Sequence, residues 1–402
     1  MMQPWFKEAK LGIFIHYGIY SVKGISESWY FRFSPLTRYK PYMKQIKGFT
    51  AKNYDPEYWA KLFKDAGAKY AVLTTKHHDG VALFDTKFSD LSVVKKSPAK
   101  RDLVAPYCDA LRNNDLRVGL YFTQCDWSAK DYTAKTWHPV KYFIDTYLLN
   151  KKHWKMFKQF HRSQLTEILT NYGKIDLLWF DGDWERSQAD WDMKGLKQWL
   201  TEKSPETVIN SRIGSYGDYE TPEQQMPTMR PDGPWEYCMT INNSWGYQPK
   251  DKNFKTPEQI VRIFSEIVSM GGNLLLDVGP KEDGTILPEQ ENVLRRLGEF
   301  ARANEKAIWG TDTFEADVFS GGKTISRDGK TLYCFSYGAT DKSVPVFVPS
   351  EKVTGVSLVN GEQSLDFSKD GDKIWVKLSP ENYIYDTAVF AVDFNEDIRE
   401  GK

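Results

Sequence analysis

An aspartate at the end of an apolar stretch is the first residue of this sequence that could do chemistry. Ile175–Phe180 is apolar apart from one aspartate and is bounded by glycines, which predicts a strand buried on both faces of a parallel sheet. Asp181 follows directly, where α/β-barrel enzymes carry their catalytic groups. An aspartate here could also simply cap the next helix. Trp179 and Trp184 beside it favour a sugar site, because aromatic rings stack on the C–H faces of sugars.

A second carboxylate would complete the minimum equipment of most glycosidases. With Asp181 as the candidate nucleophile, the partner acid could be Glu220, Glu223 or Glu236. Each of these could equally be a solvated surface charge. Their positions along the chain do not indicate which of the three is the partner acid.

Three histidines stand at or near the ends of predicted strands. His16 lies near the end of Leu11–Gly18, where a single histidine is more often structural than functional. His77 and His78 are adjacent on another predicted strand, so we expect their side chains to point to opposite faces, one inward and one outward. Two diverging side chains cannot easily bind one metal ion, and the pair therefore argues against a metal site.

Strands and helices alternate at intervals of roughly 30–50 residues, which predicts an α/β fold with a (β/α)8-like TIM barrel. The predicted strands are Leu11–Gly18, Lys69–Gly80, Arg117–Trp127, Ile175–Phe180, Thr207–Gly214, Glu236–Asn242 and Asn273–Pro280. The predicted helices are Asp55–Ala68, Arg101–Asn114, Tyr142–Tyr172, Gln259–Met270 and Pro288–Lys306. Ser215–Pro234, rich in Pro and Gly, is predicted to be a loop.

The character of the sequence changes near residue 313, where short β-branched and aromatic runs replace the alternating pattern. These runs are Lys330–Tyr337, Val344–Val348, Gly355–Val359, Lys373–Leu378 and Ala388–Val392. Separated by Gly, Asp and Asn, they predict a small all-β sandwich. We therefore expect a catalytic barrel domain over residues 1–311 and a β-sandwich domain over residues 312–402.

Composition excludes several classes of protein. Lys+Arg and Asp+Glu number 54 each in 402 residues, and this zero net charge does not favour binding to nucleic acid or to an acidic membrane surface. The four cysteines are widely spaced and are predicted to be free, mostly buried thiols. Neither a transmembrane run nor the apolar core of a signal peptide is present, so a cytoplasmic protein is expected; a secreted or periplasmic one would require a leader that has been removed.

In six motifs, which occur in the family's order, the sequence resembles glycoside hydrolase family 29, the retaining α-L-fucosidases. The motifs are GIFIHYG (Gly12–Gly18), KHHDGVALFDTKFSD (Lys76–Asp90), RDLV (Arg101–Val104), LLWFDGDW (Leu177–Trp184), WEYCMTINNSWGY (Trp235–Tyr247) and NLLLDVGPKEDG (Asn273–Gly284). The resemblance spans nearly all of the predicted barrel, from Phe6 to Trp309. Asp277 is a departure, because family members often carry Asn there.

The resemblance implies a double-displacement hydrolysis of fucosylated oligosaccharides or glycoconjugates that needs no metal or organic cofactor. It places the nucleophile at Asp181. It places the acid/base on a variable loop, where Glu223 in TPEQQMP is favoured over Glu236 in WEYC. Glu236 is then expected to be a structural or sugar-positioning residue. The further sugar contacts that it implies are His16, Trp29, His77, His78, Tyr121, Trp179, Arg212 and Trp245.

Two other classes of function remain open on the sequence. A metal-dependent barrel hydrolase would use His16, His77, His78 and Asp181 as ligands, although no His-x-His spacing supports it. A non-catalytic fucose-binding protein would keep the pocket without turnover, and the available carboxylates argue against it. The oligomeric state cannot be read from the sequence.

Overall fold

A curled sheet of seven parallel strands forms the centre of the protein. The computed structural model describes residues 2–32, 35–132 and 151–399. The strands are β1 (Leu11–Ile15), β2 (Tyr70–Lys76), β3 (Arg117–Thr123), β4 (Leu177–Asp181), β5 (Val208–Ile209), β6 (Glu236–Thr240) and β7 (Asn273–Val278). They are hydrogen-bonded in the order β5-β4-β3-β2-β1-β7-β6. All seven predicted strands are present, although most end earlier than predicted because the polar residues that follow them belong to loops.

Side chains alternate between the inside of the curled sheet and the helical layer around it. Phe14 of β1 and Trp179 of β4 belong to an inner apolar cluster, whereas the residues on either side of them pack outward. Because side chains along a strand alternate with a period of two, His16 and Asp181 also face inward. Both side chains therefore lie on the inner side of the sheet, at the carboxyl ends of their strands.

Residues 218–224 bridge the open edge of the sheet between β5 and β6. Asp218 N–H donates to the carbonyl of Ile209 at 2.7 Å, and Cys238 N–H donates to the carbonyl of Pro222 at 3.1 Å. The segment makes isolated parallel bridges to β6 and to the residue after β5, but it forms no regular strand. It occupies the eighth position of the barrel, where the sequence predicts only a loop because of its Pro and Gly residues.

Helices cover the outside of the sheet. The α-helices are Pro4–Ala9, Trp29–Arg32, Pro35–Met43, Pro56–Asp65, Val93–Lys96, Val104–Asn113, Lys151–Asn171, Gln188–Trp191, Met193–Lys203, Pro257–Ser269, Pro288–Ala303 and Glu305–Ile308. The 3₁₀ turns are Ile19–Val22, Lys44–Gly48, Asp183–Glu185, Ser350–Lys352 and Pro380–Asn382. The helix Pro56–Asp65 is capped by the side chain of Asp55, which accepts the Tyr58 N–H at 3.0 Å. Part of the predicted helix Tyr142–Tyr172 lies outside the described residues.

Two antiparallel sheets follow the barrel. Their strands are β8 (Thr311–Thr313), β9 (Gly322–Ser326), β10 (Thr331–Tyr337), β11 (Lys342–Val346), β12 (Val353–Leu358), β13 (Phe367–Asp370), β14 (Lys373–Leu378) and β15 (Thr387–Phe394). One sheet has the order β12-β15-β10-β9-β8 and the other β11-β14-β13. Leu332 and Phe390 of the first sheet share a buried core with Ile374 and Val376 of the second. The predicted β-sandwich is confirmed, while the exact division at residue 311 stays a prediction.

The cysteines agree with the sequence analysis. All four are free and buried, so none is paired in a disulfide. Among the described residues, none of the helices combines the length and the apolar character that a bilayer-spanning segment requires.

Candidate active site

A cavity of about 250 Å³ opens at the carboxyl ends of the parallel strands. It is lined by Phe14, His16, Glu27, Trp29, His77, Tyr121, Trp179, Asp181, Trp184, Arg212, Glu223 and Trp245. It is smaller than the pockets that usually hold drug-sized ligands and suits a single sugar ring. The structure thus brings together nine of the eleven residues to which the resemblance assigns a role, and His78 and Glu236 lie outside the lining.

Asp181 ends β4 and is held by two hydrogen bonds, with a histidine nearby. The Tyr121 hydroxyl donates to its Oδ2 at 2.9 Å, and Arg212 Nη1 donates to its Oδ1 at 3.0 Å. His78 Nε2 lies 3.6 Å from Oδ2. The guanidinium and the hydroxyl fix the orientation of the carboxyl group, which lines the cavity.

Arg212 joins the two carboxylates of the cavity. Its Nη2 donates to Glu223 Oε2 at 2.6 Å while Nη1 contacts Asp181, so a single guanidinium spans both acids. Burial opposes the charge on Arg212, but Asp181 and Glu223 outweigh it and raise its pKa. Its guanidinium also lies over the Trp179 ring, 4.9 Å from the centroid. Glu220, which is exposed, does not line the cavity.

The turn after β4 depends on two residues that do not touch the cavity. The Asn210 side chain accepts the Phe180 N–H and donates to the Phe180 carbonyl, both at 2.8 Å. These two bonds take the place of the backbone pairing between β4 and β5, which stops where β5 ends. Gly182 has φ of 83°, and a Cβ there would lie 2.6 Å from Cys125 Sγ. The strand end that carries Asp181 is therefore fixed from both sides.

The adjacent histidines do not diverge, and the prediction that they point to opposite faces is wrong. The ring centroids of His77 and His78 lie 4.3 Å apart. The strand pairing is irregular at Lys76 and β2 ends there, so the alternation of side chains does not extend to these two residues. His77 lines the cavity, while His78 is fully buried behind it, next to Asp181.

Each histidine of the site has a hydrogen-bond partner at Nδ1. His77 pairs with the Ser28 hydroxyl and His78 with the Thr123 hydroxyl, both at 2.6 Å. His16 pairs with the carboxyl group of Asp277 at 2.6 Å. Burial lowers the pKa of His78 to about 3 and lowers the pKa of His16 and His77 well below the usual value. No group of three possible metal ligands was found among the described residues.

Glu236, expected to be a structural or sugar-positioning residue, does not line the cavity. It is fully buried on β6, and the hydroxyl of Tyr70 and Nε1 of Trp179 donate to it, the latter at 2.8 Å. The Tyr219 hydroxyl approaches it at 3.4 Å. Burial raises the pKa of Glu236 to about 7. Its position under the ring of Trp179 makes it part of the floor that supports the site.

Aromatic rings form the walls of the cavity. Trp29 and Trp184 are stacked with centroids 5.8 Å apart, and Trp184 is 46% exposed at the mouth. Trp245 packs on the His16 ring at 4.9 Å, and Phe14 contacts the same ring at 4.5 Å. These rings offer stacking surfaces for a sugar and an apolar wall for a methyl group.

Sequence reasoning did not single out Phe14 or Glu27 as site residues. Phe14 of β1 lies two residues before His16. Because side chains two residues apart on a strand share a face, the strand period could have identified Phe14 as a site residue. Glu27 is buried, and its Oε1 accepts the Gly246 N–H at 2.6 Å. Burial raises the pKa of Glu27. It stands two residues before Trp29 in a loop whose pattern gave no signal that it would fold inward.

The alpha-L-fucosidase family model matches residues 1–306, three quarters of the chain and nearly the whole barrel. The chain belongs to the alpha-L-fucosidase family. Tissue alpha-L-fucosidase of Mus musculus is 33% identical over 407 aligned residues, covering 92% of this chain and 86% of that protein. Plasma alpha-L-fucosidase of Homo sapiens is 34% identical, covering 78% of this chain and 71% of that protein.

Solved structures of this fucosidase family have the same fold. Alpha-L-fucosidase isoenzyme 1 from Paenibacillus thiaminolyticus superposes with a TM-score of 0.89 at 31% identity, covering 98% of both chains. A family 29 fucosidase from Bacteroides thetaiotaomicron superposes with a TM-score of 0.84 at 25% identity, covering 96% of this chain and 94% of that one. The latter structure, of a Glu-to-Gln variant with 2-fluoro-fucosyl fluoride, is described as a trapped covalent intermediate.

Proposed function

We infer that this protein is a retaining α-L-fucosidase that removes terminal α-L-fucose from fucosylated glycans by double displacement. The observation that carries the mechanism is the pair of carboxylates, Asp181 and Glu223, that face one cavity and share one guanidinium. In retaining glycosidases the two carboxyl groups lie only about 5–5.5 Å apart. A single guanidinium that reaches both is consistent with such a short separation. The covalent intermediate trapped in the Bacteroides relative supports the same mechanism.

The proposed roles follow from the surroundings of each acid. Asp181 attacks the anomeric carbon while the bond to the leaving oxygen breaks, and Glu223 gives its proton to that oxygen. A water molecule then attacks the anomeric carbon, Glu223 takes its proton, and Asp181 is released. Asp181 suits the first role because Arg212 and Tyr121 stabilise its charge. Glu223 suits the second because its side chain is 37% exposed and can therefore reach both a leaving group and water.

The cavity fits a 6-deoxy sugar in its chemistry. The neutral rings of His16 and His77, the carboxyl group of Glu27 and the guanidinium of Arg212 offer partners for ring hydroxyls. The aromatic walls offer an apolar surface for the methyl group of fucose. For the cellular location we propose the cytoplasm, because four free thiols suit a reducing compartment.

Hydrolysis of aryl glycosides tests this function. We expect turnover of an aryl α-L-fucoside, unchanged after exhaustive chelation, and little turnover of aryl glycosides of other sugars. NMR of the first product should show α-L-fucose before mutarotation. Turnover that is lost on chelation would instead indicate a metal-dependent hydrolase, and early β-L-fucose would indicate inversion.

The Asp181→Gly variant tests the nucleophile. Its kcat on an activated aryl α-L-fucoside should fall by at least about 10³-fold, because no covalent intermediate can form. Azide should restore part of the rate and give the β-L-fucosyl azide. The matched control is Asp115→Gly, at an exposed carboxylate whose positive φ suits glycine. Near-native turnover by Asp181→Gly would contradict the assignment.

A further inference from the structure

A buried carboxyl group lies behind the cavity, in contact with one of its histidines. Asp277 Oδ1 is 2.6 Å from Nδ1 of His16, and Asp277 has no exposed surface. The strand register fixes the contact, since Asp277 of β7 pairs with Phe14 of β1 two residues before His16. His16 lines the cavity. Because Nδ1 is engaged by Asp277, Nε2 is the ring nitrogen available to a ligand.

The surroundings of Asp277 do not favour a charge. The titratable groups that face it are His16, from the end of β1, and Tyr20 and Glu27, from the segment that follows. β6 places the uncharged Thr240 opposite it. His16 in turn faces His77, after β2, and Asp181 of β4. Neither Lys nor Arg is among these groups.

The second oxygen of Asp277 has no partner in the described part of the chain. Oδ2 is buried and accepts no hydrogen bond. An ionised carboxylate in that state would be costly, because each buried oxygen needs donors. A carboxylic acid that donates through Oδ1 to Nδ1 of His16 has its hydrogen satisfied and leaves only a weak acceptor unpaired. Burial raises the pKa of Asp277 and outweighs the backbone N–H of His16, which acts in the opposite direction. Burial also lowers the pKa of His16, and both shifts agree with one proton held by the neutral pair.

We propose that Asp277 is a positioning residue that shares one proton with Nδ1 of His16 and thereby fixes Nε2 as an N–H donor toward the bound sugar. The donor persists wherever the proton lies along the bond, because His16 carries its other hydrogen on Nε2 in either case. The proposal rests on the inferred function in that the ligand is a fucosyl ring. It adds a residue outside the cavity that determines whether the sugar hydroxyl next to Nε2 accepts or donates a hydrogen bond.

Loss of the shared proton would reverse the polarity of Nε2. An ionised Asp277 accepts from Nδ1–H, and Nε2 then becomes an acceptor. The sugar hydroxyl that accepted a hydrogen bond from Nε2 must then rotate and donate to Nε2. Its hydrogen is no longer available to any other partner. We therefore expect the KM for an aryl α-L-fucoside and the Kd for L-fucose to rise by about threefold or more at alkaline pH.

The Asp277→Asn variant separates this role from a structural one. An amide N–H donates to Nδ1 at every pH, so KM and Kd near neutral pH should stay within about threefold of the parent values and their alkaline rise should disappear. Asp277→Leu should raise both by about tenfold at all pH values, because Nδ1 loses its partner. The matched control is Asp115→Asn, an amide substitution at an exposed site, which should retain the alkaline rise.

Two results would overturn the proposal. One is an Asp277→Asn variant with the same alkaline rise as the parent, and the other is an Asp277→Asn variant as impaired as Asp277→Leu. If the variants do not fold, ¹⁵N NMR of the histidine rings in the unmodified, unliganded protein gives the answer. A proton on His16 Nε2 at neutral pH supports the proposal, and its absence contradicts it. A protein that hydrolyses no fucoside would refute the inferred function. The NMR result would still show whether His16 carries a proton on Nε2.

Discussion

At the scale of single residues, the two proposed roles make opposite demands on acids that share one guanidinium. Arg212 donates a hydrogen bond to both Asp181 and Glu223. A nucleophile has to be a free carboxylate, but a general acid has to carry a proton in the first step. We therefore expect Glu223, the proposed acid, to release its bond to Arg212 as the substrate binds. Its partial exposure makes it the acid that can do so.

Removal of Glu223 should affect substrates according to their leaving groups. In Glu223→Ala, kcat/KM on a fucosylated oligosaccharide should fall by about 10²-fold or more, since an alkoxide cannot leave without a proton. On an aryl fucoside with an activated phenol the loss should be much smaller, and azide should raise the rate and give the α-L-fucosyl azide. Steady-state kinetics on both substrates measure the difference.

Two variants serve as controls for this prediction. Glu220→Ala removes an exposed carboxylate from the same segment and should leave both substrates near parent values. Glu236→Gln alters the buried floor and should depress both substrates by similar factors without an azide response. An azide response in Glu236→Gln, with none in Glu223→Ala, would require the two roles to be exchanged.

At the scale of elements, the end of β4 is held by a side chain in place of a strand. Asn210→Ala would leave the Phe180 N–H and C=O without partners and should lower the free energy of unfolding by about 2 kcal/mol or more. It should also lower kcat/KM, because Asp181 follows Phe180. Urea unfolding and kinetics measure the two effects. Asn304→Ala, which removes a comparable buried bond to Phe300 distant from the site, should affect stability alone.

The elements also show where sequence reasoning was sufficient and where it was not. Strands with continuous apolar runs, such as β4 and β7, could be predicted because burial on both faces selects such residues. The His77–His78 prediction was wrong because strand periodicity was applied beyond the end of β2. For Glu236 the sequence left a structural and a sugar-positioning role open, and it did not show that the side chain is fully buried. A motif places a residue along the strand but does not tell how deep it lies.

At the scale of the whole molecule, the buried Glu236 links stability to pH. Its pKa is raised from 4.5 to about 7 in the folded protein, so the folded protein keeps a proton that the unfolded chain releases between these values. The free energy of unfolding should therefore fall as pH rises through this window, by up to about 3 kcal/mol from this group. Denaturant unfolding of Glu236→Gln should show a smaller fall than the parent. Equal pH dependence in the two proteins would contradict the prediction.

The overall architecture could be predicted largely because the pattern of the sequence changes near residue 313, from one periodicity to another. The alternation of helices and strands predicted the barrel, and the short alternating runs predicted the sandwich. The strands β8, β9 and β13 were missed because they are short and mixed in polarity. The eighth barrel position was missed because residues 218–224 are held by backbone contacts to their neighbours, and a single sequence does not display such contacts.

That irregular eighth position has a consequence for how this scaffold can diversify. A regular strand tolerates a change of length poorly, because a shift of one residue turns its side chains to the other face. Residues 218–224 are pinned only at scattered bridges, and lengthening a loop costs little entropy. If Glu223 is the acid that we propose, this segment forms the wall next to the leaving group. We therefore expect insertions and deletions here to change the preference for the attached group, while the regular strands keep the preference for fucose.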